Sequence, residues 1–423
     1  MKSLYNIAIW FYALAVRIVA FFNPKVRLMW QGEQDAFVKI AENIALGDRV
    51  VWVHAASLGE FEQGRPLIEK LKRENPEYKI LLTFFSPSGY EVRKNYAGAD
   101  VIAYLPLDTP RNARRFVELV KPEKVVFVKY EFWLNYLREL RLRGIETYII
   151  SAIFRPNQVF FKWYGGIFRE GLKAFKMLFV QNEESKELLK GIGVGNVVVA
   201  GDTRFDRVID VVAMARKLDI VEEFVGMSNE VLVVGSSWGP DEELLAEYIN
   251  SRAGRVKMII APHEVREERI EELTKRLTCK YALYTQITEN RLQITDNREQ
   301  RTDKSLYDFD VLVINTIGML SSVYQYGQVA YIGGGFGVGI HNTLEAAAWG
   351  MPVVFGPNYR KFKEACELIE CGAARSIATK EECFATLDEF FENNTAPATA
   401  AAEYVASHIG ATDLIYNSQF KNN

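Results

Sequence analysis

Residues 329–355 read VAYIGGGFGVGIHNTLEAAAWGMPVVF. A short apolar run, Val329–Ile332, enters a loop holding glycines 333, 334, 335, 337 and 339, then a helix-forming stretch, then a second apolar run, Pro352–Phe355. Strand, glycine loop, helix and strand make a βαβ unit with parallel strands. In such a unit the N–H groups of the loop and of the helix start gather at the carboxyl edge of the sheet and can hold an anion. The segment is neither GxxxxGK[ST] nor a clean GxGxxG, so it lacks the signatures of ATP cleavage and of dinucleotide redox chemistry. A purely structural glycine turn is the alternative.

The same alternation continues outward. Glu230–Val234, Val256–Ala261 and Val311–Ile314 are strand candidates of this second series, and residues 285–307 interrupt it as a polar surface loop or hairpin. A first series comprises Val50–His54, Lys79–Thr83, Val101–Tyr104, Lys124–Val128, Glu146–Ile150, Phe175–Gln181 and Asn196–Ala200, with helices such as Phe61–Arg73 and Arg111–Val120 between them. Two α/β units of similar size suggest a crevice between them that binds a ligand. The division expected is an anchor over 1–24, a first domain over 25–205 and a second over 206–423.

The anchor is the stretch 4–22, LYNIAIWFYALAVRIVAFF, in which only Asn6 and Arg17 are not apolar or aromatic. Nineteen residues of helix reach about 28 Å, close to the hydrocarbon thickness of a bilayer. No small-residue cleavage site follows, and Lys25, Arg27 and Lys39 follow it against Lys2 before it, which places the body of the protein in the cytoplasm. A span, an in-plane interfacial helix and a buried helix of the first domain all remain open.

The 423 residues are 49% hydrophobic and 25% charged, which excludes disorder and disulfide scaffolds as the main architecture. The net charge of −3 conceals an asymmetry: residues 1–210 hold 31 Lys and Arg against 24 Asp and Glu, and residues 211–423 hold 20 against 30. The four cysteines form no CxxC pair and the four histidines no HExxH, so no zinc site is expected. Asp308 and Asp310 have DxD spacing but precede their strand, and read as a solvated loop.

Several strand-to-helix loops hold candidate chemistry. His54-Ala-Ala-Ser-Leu-Gly-Glu60 would place Glu60 in a first helical turn, suited to accepting a proton, with Ser57 and Gly59 beside it. The plain alternative is an acid that only stabilises its helix. Ser86, Ser88 and Gly89 offer an anion site or ordinary capping. Lys129-Tyr-Glu-Phe-Trp133 puts Glu131 among aromatics on the same edge as Glu60. Arg204, in GDTRFD, would support a phosphate or pair with Asp202 or Asp206. In the second series Gly334 and Gly335 are candidate phosphate contacts, and Glu345 would accept ribose hydroxyls. Residues 151–176 interleave Phe154, Phe160, Phe161, Trp163, Tyr164, Phe168 and Phe175 with Arg155, Lys162, Arg169, Lys173 and Lys176, which suits an anionic lipid surface or an amphipathic core helix. No nucleic-acid module accompanies them.

HAASLGE, YEFW, SAIFR, FVQNEES, GDTRFD, APH and GIHNTLEAAAWGMPVVFGP occur in an order that resembles the 3-deoxy-D-manno-octulosonic acid (Kdo) transferases of lipopolysaccharide synthesis. The resemblance implies a GT-B fold of two Rossmann-like domains facing a central crevice, a CMP-Kdo donor and the lipid A precursor lipid IVA as acceptor, at the cytoplasmic face of the inner membrane. It implies Glu60 as general base, Glu131 and Arg204 as transition-state support, and CMP contacts at Pro262, His263, Ile317, Gly318, Met319, Asn342, Thr343, Leu344 and Glu345. No cofactor or metal is expected beyond the donor. Pro-His-Glu stands where many members have Pro-Arg-His, and Arg204 where Lys is common. A GT-B enzyme using a UDP-sugar and a non-catalytic, membrane-tethered nucleotide-binding protein are the competing readings.

Overall fold

The computed structural model describes residues 2–289 and 305–421. Residues 290–304, most of the polar stretch expected as a loop or hairpin, lie outside them. The chain divides into two compact units, residues 1–207 with 408–423, and residues 208–407.

The first unit holds a seven-stranded sheet built from β1 (Arg49–His54), β2 (Tyr78–Phe84), β3 (Val101–Tyr104), β4 (Lys124–Val128), β5 (Glu146–Ala152), β6 (Met177–Val180) and β7 (Val197–Val199). Its order is β3-β2-β1-β4-β5-β6-β7, with every neighbouring pair parallel. The central strands are runs of Val, Ile and Phe because helices cover both faces and leave no polar side to the sheet. The chain leaves β1 toward β2 and β3 on one side, then crosses back to β4 on the other. The carboxyl ends of β1 and β4 therefore part at the switch point, where open parallel sheets bind ligands. His54 sits at that point, in register with Thr83 on one side and Phe127 on the other.

The second unit repeats the scheme with β8 (Val231–Ser237), β9 (Lys257–Pro262), β10 (Tyr281–Leu283), β11 (Val311–Val313), β12 (Val329–Ile332), β13 (Val353–Phe355) and β14 (Ala374–Ser376), in the order β10-β11-β9-β8-β12-β13-β14. The switch point lies between β8 and β12, where Ile332 is in register with Gly235. Twelve of the fourteen strands among the described residues coincide with the apolar runs of the sequence. The other two, β10 and β14, are three-residue edge strands, too short to show a period.

Two features depart from the sequence reading. The apolar helix, Lys2–Ala20, is followed at once by a second, Pro24–Asn43, whose N-cap Asn23 accepts from the N–H groups of Lys25 and Val26. The chain also returns to the first unit at its end, beyond a single boundary at 205/206. Asp206 accepts from the N–H groups of Gly410 and Thr412 at 2.6 and 2.7 Å, fixing the start of the helix Ala411–Gln419. Ile415, Tyr416 and Phe420 then fill the core beside Phe61, Leu71 and Tyr148, and Tyr416 donates to Asn75 Oδ1 at 2.8 Å.

Ile415→Ala removes fully buried methyl groups and should cost about 2–5 kcal/mol of the first unit's stability. Urea unfolding followed by a probe in that unit checks this; an unchanged midpoint would show that the last helix is dispensable to it.

Candidate functional site

In the first unit the helix Leu58–Glu74 starts directly after β1, with Ser57 at its N-cap and Glu60 in its first turn. The Ser57 hydroxyl does not cap the helix. Instead Glu60 reaches back, and its Oε2 accepts the Ala56 N–H at 2.7 Å. Burial and the charge of Glu131 nevertheless push the Glu60 carboxyl up to about 7, against the opposing pull of backbone N–H groups and Lys129. Among the described residues, no atom other than those of Gly59's chain neighbours and its own helix backbone lies within 4 Å of where a Gly59 side chain would begin, so the space beside this turn is open. Ser86 accepts from the Ser88 N–H and lies 2.9 Å from the Ser88 hydroxyl, an ordinary cap for the helix Pro87–Arg93.

Glu131 arrives from β4. Lys129 takes a left-handed backbone conformation, φ 67°, strain of the kind found where a chain must turn sharply at a site. The turn brings Glu131 Oε2 to 3.2 Å from His54 Nε2 and 2.5 Å from Trp133 Nε1, which donates to it. His54 is buried, and its Nδ1 lies 2.9 Å from Thr83 Oγ1, which also accepts from Trp52 Nε1 at 2.8 Å. Trp133 Nε1 also lies 3.1 Å from His54 Nε2, so Glu131, His54 and Trp133 meet at one point. The indole and the imidazole hold the Glu131 carboxylate in place while its charge acts on Glu60. His54 is a polar residue whose role the sequence did not expose. Its position at the last residue of a central strand was the available signal.

Arg204 has both alternatives of the sequence partly resolved. Its Nε and Nη2 donate to Asp202 Oδ2 at 2.9 and 2.8 Å, whereas Asp206 serves the last helix. Asp202 also accepts from Gln63 Nε2 at 3.1 and 3.0 Å, and Gln63 is one turn beyond Glu60. Burial alone would raise Asp202, but Arg204 and these donors hold it below the usual carboxylate range. The residues 151–176 form no long amphipathic helix. Phe154, Phe160 and Phe175 are core, and Trp163 and Tyr164 stand exposed, the former by 91%. Tyr130, Glu131, Trp133, Arg155 and Phe160 line a cavity of about 520 Å³ in this unit.

In the second unit the glycine loop is a tight backbone junction. A side chain on Gly333 would begin 2.3 Å from Ser236 O, and one on Gly335 would begin 2.5 Å from Gly356 N. The loop is less of an open cradle than the sequence suggests. The Gly334 N–H is engaged by Asp241 Oδ2 at 2.9 Å, and those of Gly337 and Gly339 by Gly334 O. Asp241 is the third residue of its helix, as Glu60 is, but it accepts from three donors: Gly334, the Trp238 N–H and the Tyr331 hydroxyl. At the helix Leu344–Ala348, Asn342 Oδ1 accepts the Leu344 N–H and its amide donates to Glu345 Oε1 at 2.9 Å. Thr343 and Leu344 are buried, so their backbone is what they offer. Pro262 closes β9, and His263 beyond it stacks between Trp238 and His341 at centroid distances of 4.5 and 4.4 Å. Ile317 and Gly318 lie on the exposed turn after β11, and Met319 caps the short helix Leu320–Val323. Trp238, Asp241 and His341 are additions that only the fold supplies. Asp310 accepts from the N–H groups of Gly254 and Lys280, so the DxD segment is structural.

Two Rossmann-like units, each with its polar groups at the carboxyl edge of a parallel sheet, define the GT-B architecture. UDP-GlcNAc 2-epimerase of Neisseria meningitidis shares the fold at a TM-score of 0.59 and 16% identity, covering 88% of this chain and all of that one. A family profile described as 3-Deoxy-D-manno-octulosonic-acid transferase (kdotransferase) matches residues 29–207. The 3-deoxy-D-manno-octulosonic acid transferase of Aquifex aeolicus is 28% identical over 346 residues, covering 80% of this chain and 85% of that one. That of Bordetella pertussis is 27% identical over 379 residues, covering 86% and 85%. By these matches the chain is similar to the Kdo transferases, which are glycosyltransferases.

Because the folded state raises Glu60, ionising it costs stability. The cost is absent below the ordinary carboxylate range, grows as pH rises toward about 7 and is complete above it. Glu60→Gln should therefore gain thermal stability over the parent protein at pH 8 and not at pH 4. Parallel melting profiles across that range would show the carboxyl to be unperturbed.

Proposed function

We propose that this chain transfers Kdo from CMP-Kdo to lipid IVA, with inversion, at the cytoplasmic face of the inner membrane. The observation that carries the reading is Glu60: a carboxylate raised to about 7, beside open space, on the switch-point edge of its sheet. A base is most effective when its pKa lies near the working pH. In this reading Glu60 takes the proton of an acceptor hydroxyl, whose oxygen attacks the anomeric carbon of Kdo. The bond from that carbon to the CMP phosphate breaks, and CMP leaves with the electron pair. Glu131, held by His54 and Trp133, keeps Glu60 basic, and Arg204 stabilises charge on the departing phosphate.

The CMP moiety is assigned to Pro262 and His263, to Ile317, Gly318 and Met319, and to the turn from Asn342 to Glu345. The stacked rings of Trp238, His263 and His341 give that edge a flat aromatic floor. Ser57, Gly59, Ser86, Ser88 and Gly335 are assigned to sugar or phosphate contacts. Gly334 serves through its placement, its N–H being engaged by Asp241. The membrane location is supported by the helix window Ser3–Ala20, long and apolar enough to associate with a bilayer.

The test is mass spectrometry of lipid IVA after incubation with the protein and CMP-Kdo, beside titrations with CMP and UDP. Addition of Kdo and preference for CMP are expected. Glu60→Ala should lose transfer by about 10²–10⁴-fold, with CMP affinity unchanged. In the parent protein kcat/KM should rise with pH to a plateau above about 7. Near-normal transfer by Glu60→Ala would remove Glu60 from the role of base.

A further inference from the structure

The helix Lys2–Ala20 meets the first unit along one stripe. Tyr5, Asn6, Ile9, Ala13, Val16 and Ala20 are its less exposed residues, spaced by one helical face. The stripe is fastened at both ends. At the start, the Tyr5 hydroxyl donates to Asp108 Oδ2 at 2.7 Å and Asn135 donates to Asn6 Oδ1 at 2.9 Å. Asp108 is fully buried and also accepts the N–H groups of Asn135 and Tyr136 at 3.0 Å each, so it caps the helix Leu134–Leu142 at the same time. At the end, Val16 packs with Met29 and Tyr104, and Arg27 donates to the carbonyls of Ala20 and Phe21 at 3.0 and 2.8 Å.

The opposite face is apolar and uncovered: Leu4, Ile7, Trp10, Phe11 and Ile18 are all exposed, as is Phe22 in the turn that follows. A helix crossing a bilayer end to end needs its whole length in hydrocarbon. Here both ends are tied to the globular unit, so a crossing would carry Asp108 and Asn135 into the hydrocarbon or break their bonds. Either is strongly unfavourable, because hydrocarbon offers a buried polar group no partner. Lying flat costs neither, because only the uncovered face enters the lipid.

We infer that this helix is an in-plane anchor, its outward face sunk into one leaflet of a bilayer with anionic headgroups and its first turn forming a wall of the cavity that reaches Glu131. The lipid is selected by the face itself, with aromatic rings among aliphatic side chains and exposed Arg17 and Lys25 at its margin. Tyr5, from the first turn, lines the same cavity as Glu131, Arg155 and Phe160. Exposed Trp163 and Tyr164 follow directly on the loop that supplies Phe160. A headgroup at that level meets the cavity from the side, without its acyl chains leaving the leaflet. This rests on the membrane-bound acceptor proposed above.

The experiment uses the full chain with Ser3→Cys in sealed right-side-out and inside-out vesicles. A membrane-impermeant maleimide is added, and labelled peptides are identified by mass spectrometry. Exposed Cys371 reports the side of the globular body. Labelling of position 3 in the same vesicle orientation as Cys371, or its shielding by lipid in both orientations, is expected. Labelling of the two positions in opposite orientations overturns the in-plane geometry. Recovery of the protein in the soluble fraction overturns membrane attachment itself. A second variant pair, Phe11→Asp with Phe22→Asp, should weaken binding to anionic vesicles about tenfold or more by removing apolar area from the lipid-facing side. Unchanged vesicle binding, or pairing of two copies through that face in place of vesicle binding, overturns the assignment of the leaflet as its occupant.

Discussion

The first unit is organised around a conflict at one carboxylate. Glu60 accepts a backbone N–H at a helix start, an arrangement that favours its anion. It is also buried beside a second acid, which disfavours the anion. The neighbouring elements serve to keep that conflict in place. His54 and Trp133 hold Glu131, the left-handed turn at Lys129 delivers it, and Thr83 orients His54. The second unit contains a related carboxylate, Asp241, which burial also pushes up. It too is the third residue of its helix, and three donors engage it, so that it knits the glycine loop to β8 and β12. Asp241 is tied into the fold by its donors, whereas Glu60 lies beside a second acid, Glu131.

Arg204 is joined to this arrangement through Asp202 and Gln63, which lies on the Glu60 helix. The ion pair that the sequence offers as an alternative to phosphate binding is therefore a mounting for the guanidinium. A side chain held on one edge by a buried carboxylate keeps a fixed direction, and its side chain remains about a third exposed.

How much of this was legible follows from what each residue's signal depends on. The strands of both sheets could be read because burial on two faces forces continuous β-branched and aromatic runs, as in Val50–Val53 and Val125–Val128. β10 and β14 could not, because three residues at a sheet edge carry no such run. Glu60, Glu131 and Arg204 were legible because they follow strands, and in a parallel sheet that alone places them at the ligand edge. The partners that give them character were not. The grip of His54 on Glu131 joins positions 77 residues apart, and the contact of Gln63 with Asp202 joins positions 139 apart. The glycine loop was read as open because glycines advertise bare N–H groups; which of them Asp241 would occupy depended on the strand order.

The return of the last residues to the first unit has a consequence for synthesis. The ribosome makes residues 1–207 before the second unit, but the helix that completes their core, Ala411–Gln419, follows that unit. At about 5–20 residues per second, that leaves roughly ten to forty seconds with the docking place of Ile415, Tyr416 and Phe420 unfilled. The second unit, contiguous in the chain, is free to fold within that interval. The first unit thus reaches its final core only after the whole of the second unit has been made.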